Sequence, residues 1–297
     1  VDAGVPVPHR LGDLATPTIS VIIDGMFVVE TGPEDGPVVL LTSGLGGAWF
    51  DWEAVTALLP GHRVLCFDRP GTGGSPPSRA VPSLRAEVDR LATMARYAQK
   101  PVTLVAHSMA AFQAEALARI HPDLVHGLVL VDPSCEPAVC SRIRLAAVLT
   151  PPNLALGRLL ARTGLARRLG PLGRGLVMSR VSKRGEVAPR RLIEEVYGRG
   201  DVLGMLMAEN TAYNEMAADL LALRGRRPLP AIPLEVITAL GDLHQADSAR
   251  KWAKCHRDLA AMSPLGHQVE LNDALHMVHV DDPDTVVAAV ARVVSAG

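Results

Sequence analysis

Three Trp, three Tyr and four Phe are all the aromatic side chains in 297 residues. A core built on large rings is therefore excluded, and an aliphatic one is required. Net charge is just as scarce, since 30 Lys and Arg face 31 Asp and Glu for a formal balance of −1. Without a basic excess, the chain lacks the electrostatic footprint of a nucleic-acid binder. No run of about 18 apolar residues occurs, which excludes a bilayer-spanning helix. Cysteine is confined to positions 66, 135, 140 and 255, with no paired spacing of the zinc type. Cys66 sits in an apolar run and reads as a small buried hydrophobe. Cys135 and Cys140 are close enough in sequence to bridge, but free thiols in a reducing compartment are the expectation. The opening VDAGVPVPHRLGDL has no charged-then-apolar leader architecture. A start on Val1 rather than Met is compatible with removal of a leader. The expected location is cytoplasmic.

What is present is aliphatic and regularly ordered. Hydrophobic residues make up 48% of the chain, ample for one large α/β domain or two smaller ones. No internal repeat is visible. Residues 19–24 and 27–32 read as a hairpin across Gly25, and PVVLLTSG (37–44) as a strand buried on both faces. Helical and strand patterns then alternate: helix 51–59, strand 62–68, helix 82–98 with Ser83 as N-cap, strand 101–107, helix 109–121, strand 125–132. From about 137 to 229 no buried strand can be found. That segment has helical patches and breakers at Pro151, Pro152, Gly164, Gly170, Pro171 and Gly173. Strand 233–242, a helix around 247–262, strand 266–273 and a last helix from Pro283 complete the chain. This order predicts a mostly parallel sheet with helices on both faces. It divides the chain into a core of 1–136 and 230–297 and a helical lid of 137–229. The lid enters at the strand edge where open α/β sheets place their sites.

The stretch TLVAHSMAAF (103–112) carries the chemical signal. A strand running into a helix through a one-residue elbow lifts that residue clear of the sheet edge, and its flanks must be small because the two backbones approach closely. The usual flanks are glycines; here they are Ala106 and Ala110, each one methyl larger. Taken alone, the pattern also fits a Ser that only caps a helix. Three further features favour a nucleophilic Ser108, one of them the turn-rich DRPGTGGS (68–75) after strand 62–68. TSGLGG (42–47) ends an earlier strand and could present the backbone N–H of Leu45 to an oxyanion, with a second donor from Met109. An acid and then a His follow downstream at strand ends: Asp242 after PLEVITALG, and His276 in NDALHMVHV. In that order His276 would take the Ser108 proton and Asp242 would hold the imidazole tautomer. His279 and His267 are alternative bases, and Asp132 and Asp247 alternative acids. His107 is read as a packing or hydrogen-bonding neighbour, and Asp68 and Arg69 as stabilisers of the turn DRPGTGGS (68–75).

These segments together resemble the α/β-hydrolase superfamily, in its lid-bearing esterase, haloperoxidase-like and C–C hydrolase branch. The resemblance rests on Gly44 to Gly47, Asp68 to Ser75, His107 to Met109, Gly241 with Asp242, and His276. Three positions depart from the usual pattern: Ser43 stands where His is common, alanines flank the elbow, and Asp242 follows Gly241 directly. The resemblance implies an eight-stranded α/β-hydrolase fold and a catalytic triad of Ser108, Asp242 and His276. It also implies an oxyanion hole at Leu45 and Met109, with no cofactor and no metal. The expected activity is hydrolysis of an ester or related acyl bond of a small, largely apolar molecule through an acyl-enzyme. C–C bond hydrolysis, thioester hydrolysis and a non-catalytic receptor on the same fold are the alternatives.

One compositional asymmetry remains. Residues 137–229 hold 16 Arg and Lys against 7 Asp and Glu, so the rest of the chain is acidic by a similar margin. Either the basic segment is a solvated surface clamped by charge to an acidic core, or arginines such as 167, 168, 190 and 191 steer an anionic substrate.

Overall fold

A computed structural model describes residues 18–136, 138–139, 143–243 and 245–296. The hairpin forms as expected: β1 (Thr18–Ile23) pairs antiparallel with β2 (Met26–Thr31). The turn between them places Asp24 and Gly25 at positive φ. Next come β3 (Val38–Thr42), a short turn of 3-10 helix leading into α1 (Glu53–Ala57), and β4 (Arg63–Asp68). Helix α2 (Leu84–Ala98) starts where Ser83 accepts a hydrogen bond from the Ala86 N–H, as its cap position predicts. Strand β5 (Val102–His107), helix α3 (Ala110–Ile120) and strand β6 (Val125–Val131) follow.

Among the described residues, the stretch without strands holds four helices: α4 (Leu145–Arg162), α5 (Ala166–Val181), α6 (Arg190–Tyr197) and α7 (Gly200–Arg224). Most of the expected breakers lie inside them. Pro151 and Pro152 are within α4 and Pro171 within α5; only Gly164, at φ +74°, ends a helix as expected. Tertiary packing overrides propensity here. Helices α4 and α7 cross so closely that a Cβ at Gly157 would lie 2.0 Å from the Gly200 carbonyl oxygen, and glycine is what lets the backbones meet. Strand β7 (Leu234–Ala239), α8 (Ala246–Ala260), β8 (Gly266–Leu271), α9 (Val278–Asp281) and α10 (Pro283–Ser295) close the chain.

The eight strands form one sheet in the order β1-β2-β4-β3-β5-β6-β7-β8. Only the pairings made by β2 are antiparallel. Alternate strand residues feed two aliphatic cores. Leu40, Leu65, Leu104, Leu128 and Val236 meet α2 and α3 on one face. Leu41, Val64, Val105, Val129 and Ile237 meet the α1 and α10 side. The parallel strands all end at one edge, so the residues just after β3, β4, β5, β6 and β8 converge there.

The cysteines differ from expectation. Cys135, after β6, and Cys255, on α8, form a disulfide with Cα atoms 6.3 Å apart. Cys66 is a buried free thiol, and Cys140 lies outside the described residues. A pair separated by 120 residues could not be read from local spacing. The adjacency of β6 and β7 creates it by bringing α8 against the loop that follows β6. Among the described residues, no helix is long and apolar enough to cross a membrane.

Candidate active site

Strand β5 ends at His107 and α3 begins at Ala110, which leaves Ser108 on the bend at φ +53°. A non-glycine residue in this region carries strain. The elbow is held by its neighbours: the Ser108 N–H donates to the Val131 carbonyl at 3.1 Å, and the Ser108 carbonyl accepts from the Ser134 N–H at 3.1 Å. Ala106 and Ala110 are both fully buried, so their methyls are accommodated in a closed environment.

His276 lies on the loop between β8 and α9. Its Nε2 is 3.0 Å from Ser108 Oγ, which donates to it, and its Nδ1 donates to Asp132 Oδ2 at 2.6 Å. The acid expected at Asp242 is therefore corrected. Asp242 sits in an exposed turn past β7, whereas Asp132, one residue past β6, faces the imidazole. The reason is positional and energetic. Asp132 is buried, and its Oδ1 accepts from the Ala239 N–H and from Trp252 Nε1, each at 3.0 Å. This carboxylate is oriented before any substrate arrives. Both aspartates carry the same strand-end signal in sequence; what the sequence could not show is which strand end lies opposite His276. The disulfide and a 2.8 Å contact between His256 Nε2 and the Pro133 carbonyl tie the Asp132 loop to α8.

The other histidines have supporting places. His107 Nε2 donates to the His276 carbonyl at 3.1 Å, and burial holds His107 well below the usual imidazole range. His279 stacks on Trp52 with ring centroids 4.2 Å apart, and neither of its ring nitrogens has a hydrogen-bond partner. Burial and the neighbouring His276 push His279 down to about 3, so it is neutral at physiological pH. His267 is bonded to Glu235, and Asp247 pairs with Arg250 at the surface.

The turn after β3 packs directly on the elbow, since a Cβ at Gly44 would lie 2.7 Å from the Ser108 Cβ. Its carbonyls are held from outside. Arg69 donates to the carbonyls of Ser43 (2.5 Å) and Gly44 (3.0 Å), and is itself paired with Glu209 of α7 at 2.6 and 2.9 Å. Tyr197 donates to the Gly46 carbonyl at 2.6 Å. Arg174 of α5 bonds Asp51, Glu186 and the Tyr197 hydroxyl. Sequence reasoning missed Arg174, Tyr197 and Glu209, because nothing local marks a side chain that acts across 100 or more residues. Asp68 stabilises its turn as expected: it accepts from the N–H groups of Trp49 (2.8 Å) and Gly74 (2.7 Å), and burial pushes its carboxyl up to about 7.

Above Ser108 lies a cavity of about 500 Å³. Its floor is Leu45, His107, Ser108 and His276. Its roof is largely apolar and comes from α5 and α7, including Leu169, Val177, Met178, Leu206 and Met207. Arg174 and Tyr197 also reach it, but their polar atoms already have partners. Arg190 and Arg191 form exposed pairs with Glu194 and Glu195 at 2.7 and 2.8 Å. The charge clamps between the four helices and the sheet are visible as Arg69–Glu209 and Arg174–Asp51. Among the described residues, no three His, Cys, Asp or Glu side chains are grouped to hold a metal ion.

A segment of 123 residues is 37% identical to the protein of Variovorax paradoxus (strain S110) named "Putative carbamate hydrolase RutD". The match covers 39% of this chain and 46% of that protein, so the chain spans less than half the length of this curated relative. Over the whole fold, the structure of Cfl2 from Burkholderia cenocepacia superposes with a TM-score of 0.67 at 19% identity, covering 92% of this chain and 94% of that one. The enol-lactonase of Burkholderia xenovorans LB400 superposes with a TM-score of 0.64 at 21% identity, covering 93% and 100%. The sequence profile described as "Alpha/beta hydrolase family" matches residues 38–289, a span that holds the elbow, the turn after β3 and His276. With that match and an eight-stranded sheet of this order, the chain belongs to the alpha/beta hydrolase family.

Proposed function

We propose that the protein is a serine hydrolase that cleaves an ester or related acyl bond of a small, largely apolar molecule through an acyl-enzyme on Ser108. The observation that carries this reading is the continuous chain Ser108 Oγ–His276–Asp132, with links of 3.0 and 2.6 Å, at the floor of an apolar cavity. In this mechanism His276 Nε2 takes the Ser108 proton as Oγ attacks the carbonyl carbon. Asp132 stabilises the imidazolium and fixes its tautomer. The N–H groups of Leu45 and Met109 receive the oxyanion, a contribution that typically amounts to about 10²–10³ in rate per donor. His276 then protonates the leaving group, and the same base activates water to release the acyl product. No step calls for a cofactor.

The four helices between β6 and β7 take the part of a lid over a core of 1–136 and 230–297, with the lid spanning 137–229. A largely apolar roof excludes water from the acyl-enzyme and selects apolar acyl groups. The curated relative's name points to a carbamate, which the same attack would cleave at its carbonyl.

The test is fluorophosphonate labelling with peptide mapping, run beside a series of chromogenic esters of increasing acyl length. Label on Ser108, absent in Ser108→Ala, with turnover that rises with acyl length, supports the reading. Ligand binding without labelling or turnover would replace it with a receptor.

A further inference from the structure

We propose that the outer face of α4 and α5 is a docking surface for an anionic lipid bilayer, placing the cavity mouth at the membrane. Of the eighteen large apolar side chains exposed among the described residues, eleven lie between Ile143 and Val177. They are organised. Helix α4 buries Ala146, Thr150, Leu154 and Gly157 inward. On its opposite side, by helical spacing, are Leu145, Val148, Leu149, Leu156 and Leu159, all 37–67% exposed. Helix α5 buries Ala166, Gly170, Arg174 and Met178. It exposes a second stripe of Leu165, Leu169, Leu172 and Leu176, at 44–65%. An apolar surface this concentrated marks an interaction site rather than ordinary surface.

Charge identifies the occupant. Residues 138–185 contain ten Arg and Lys and not one Asp or Glu. Arg158, Arg162, Arg167, Arg168 and Arg180 are exposed, and by helical spacing Arg168 and Arg180 flank the α5 stripe on either side. Aliphatic residues flanked by arginine are the pattern of a helix lying in the headgroup layer of an acidic membrane. A second copy of the chain fits poorly, because a symmetric contact would set arginine against arginine with no carboxylate opposite. A protein partner is also disfavoured: residues 143–185 carry no Tyr, Trp or Phe, and aromatic anchors of that kind are what protein interfaces rely on. The surface is continuous with the site. Leu169 and Val177, 51% and 56% exposed, also line the cavity over Ser108, so an apolar molecule leaving the lipid would meet the roof of the cavity first.

The experiment is co-sedimentation of the full chain with two kinds of vesicle: phosphatidylcholine alone, and phosphatidylcholine with about a third phosphatidylglycerol. Binding should be about tenfold tighter to the anionic vesicles and should weaken as salt is added. Leu172→Glu with Leu176→Glu should abolish it, while turnover of a water-soluble short-chain ester stays within about twofold, since neither residue lines the cavity. Arg168→Glu with Arg180→Glu should weaken binding at low salt only. Ser108→Ala should bind like the wild type, which separates this proposal from the catalytic one. Failure of the wild type to bind either vesicle would overturn it, as would equal binding by a folded Leu172→Glu, Leu176→Glu variant. A wild-type dimer in analytical ultracentrifugation that those two substitutions dissociate would assign the face to a second copy instead.

Discussion

At Ser108, His276 and Asp132 the proposed chemistry reduces to two hydrogen bonds and the groups that aim them. Asp132→Asn should lower kcat by about 10⁴-fold, the cost known for a wrongly held imidazole tautomer in a serine protease triad. Asp242→Asn should leave kcat within about twofold, because Asp242 is in an exposed turn. Steady-state kinetics on one chromogenic ester decides, and the opposite pattern would return the acid to Asp242. The elbow makes a separate demand. Ala106 and Ala110 are fully enclosed, so Ala106→Gly should keep activity within about tenfold, whereas Ala106→Val should abolish activity or folding. Full activity in Ala106→Val would refute the close approach. Tyr197 acts one step further out. Its hydroxyl bonds the Gly46 carbonyl at 2.6 Å and so restrains the turn that carries Leu45. Tyr197→Phe keeps the ring and removes the restraint. The expected result is a kcat about tenfold lower with KM little changed, a modest share of what an oxyanion donor is worth. A melting temperature near that of the wild type would show the effect to be one of positioning.

Among the elements, the contact that matters most for the site is between α8 and the loop after β6. The Cys135–Cys255 bond, Trp252 Nε1 on Asp132 and His256 on the Pro133 carbonyl all lie within it. Closing a loop of 120 residues restricts the unfolded chain strongly, and disulfides typically contribute about 2–4 kcal/mol. Cys255→Ala should therefore lower unfolding stability by about that amount in urea. It should also lower kcat, because the loop holding Asp132 loses a tether. An unchanged midpoint under non-reducing conditions would mean that the two thiols are not joined in the protein. The four helices between β6 and β7 are tied to the rest of the chain differently, by buried charge. Arg69–Glu209 and Arg174–Asp51 pass between the two parts, and in each the partner compensates a charge that water cannot reach.

For the molecule as a whole, buried histidines and buried carboxyls pull the response to acid in opposite directions. The unfolded chain binds protons at His107 and His279 below pH about 6.5. The folded chain resists until far lower pH, down to about 3 at His279. The unfolded state thus holds more protons across that window, so stability rises with pH through it and is lost as pH falls from about 6.5. Asp68 has the opposite sign. Its folded carboxyl, pushed up to about 7, holds a proton that the unfolded chain releases near 4, so its contribution declines as pH rises between those values. From neutral pH down to about 4, the urea midpoint of the wild type should fall relative to that of His279→Phe, which keeps the stack on Trp52 without a titrating ring and shares the raised carboxyls of Asp51, Asp68 and Glu87. Equal slopes would show that His279 titrates normally.

The sequence by itself determined the sheet, the elbow and the turn after β3, because each is written in residues that are close together in the chain. Continuous aliphatic runs bounded by turn residues specify strands, small residues around Ser108 specify the bend, and glycines at 44, 46 and 47 specify a turn that can lie against it. Only the tertiary structure decided among candidates that look alike locally. Asp132 and Asp242 both follow a strand, yet β6 lies beside β5 and Asp132 is buried against Ala239 and Trp252. Cys135 found its partner on α8 rather than at nearby Cys140 because strand order, not chain distance, sets what meets past the end of β6. Pro151, Pro152 and Pro171 stayed inside helices because packing of the four-helix segment outweighed local propensity. Arg174, Tyr197 and Glu209, which brace the surroundings of the turn beside Ser108, were hidden for the same reason: a hydrogen bond reports distance in space, and the chain records only distance along itself.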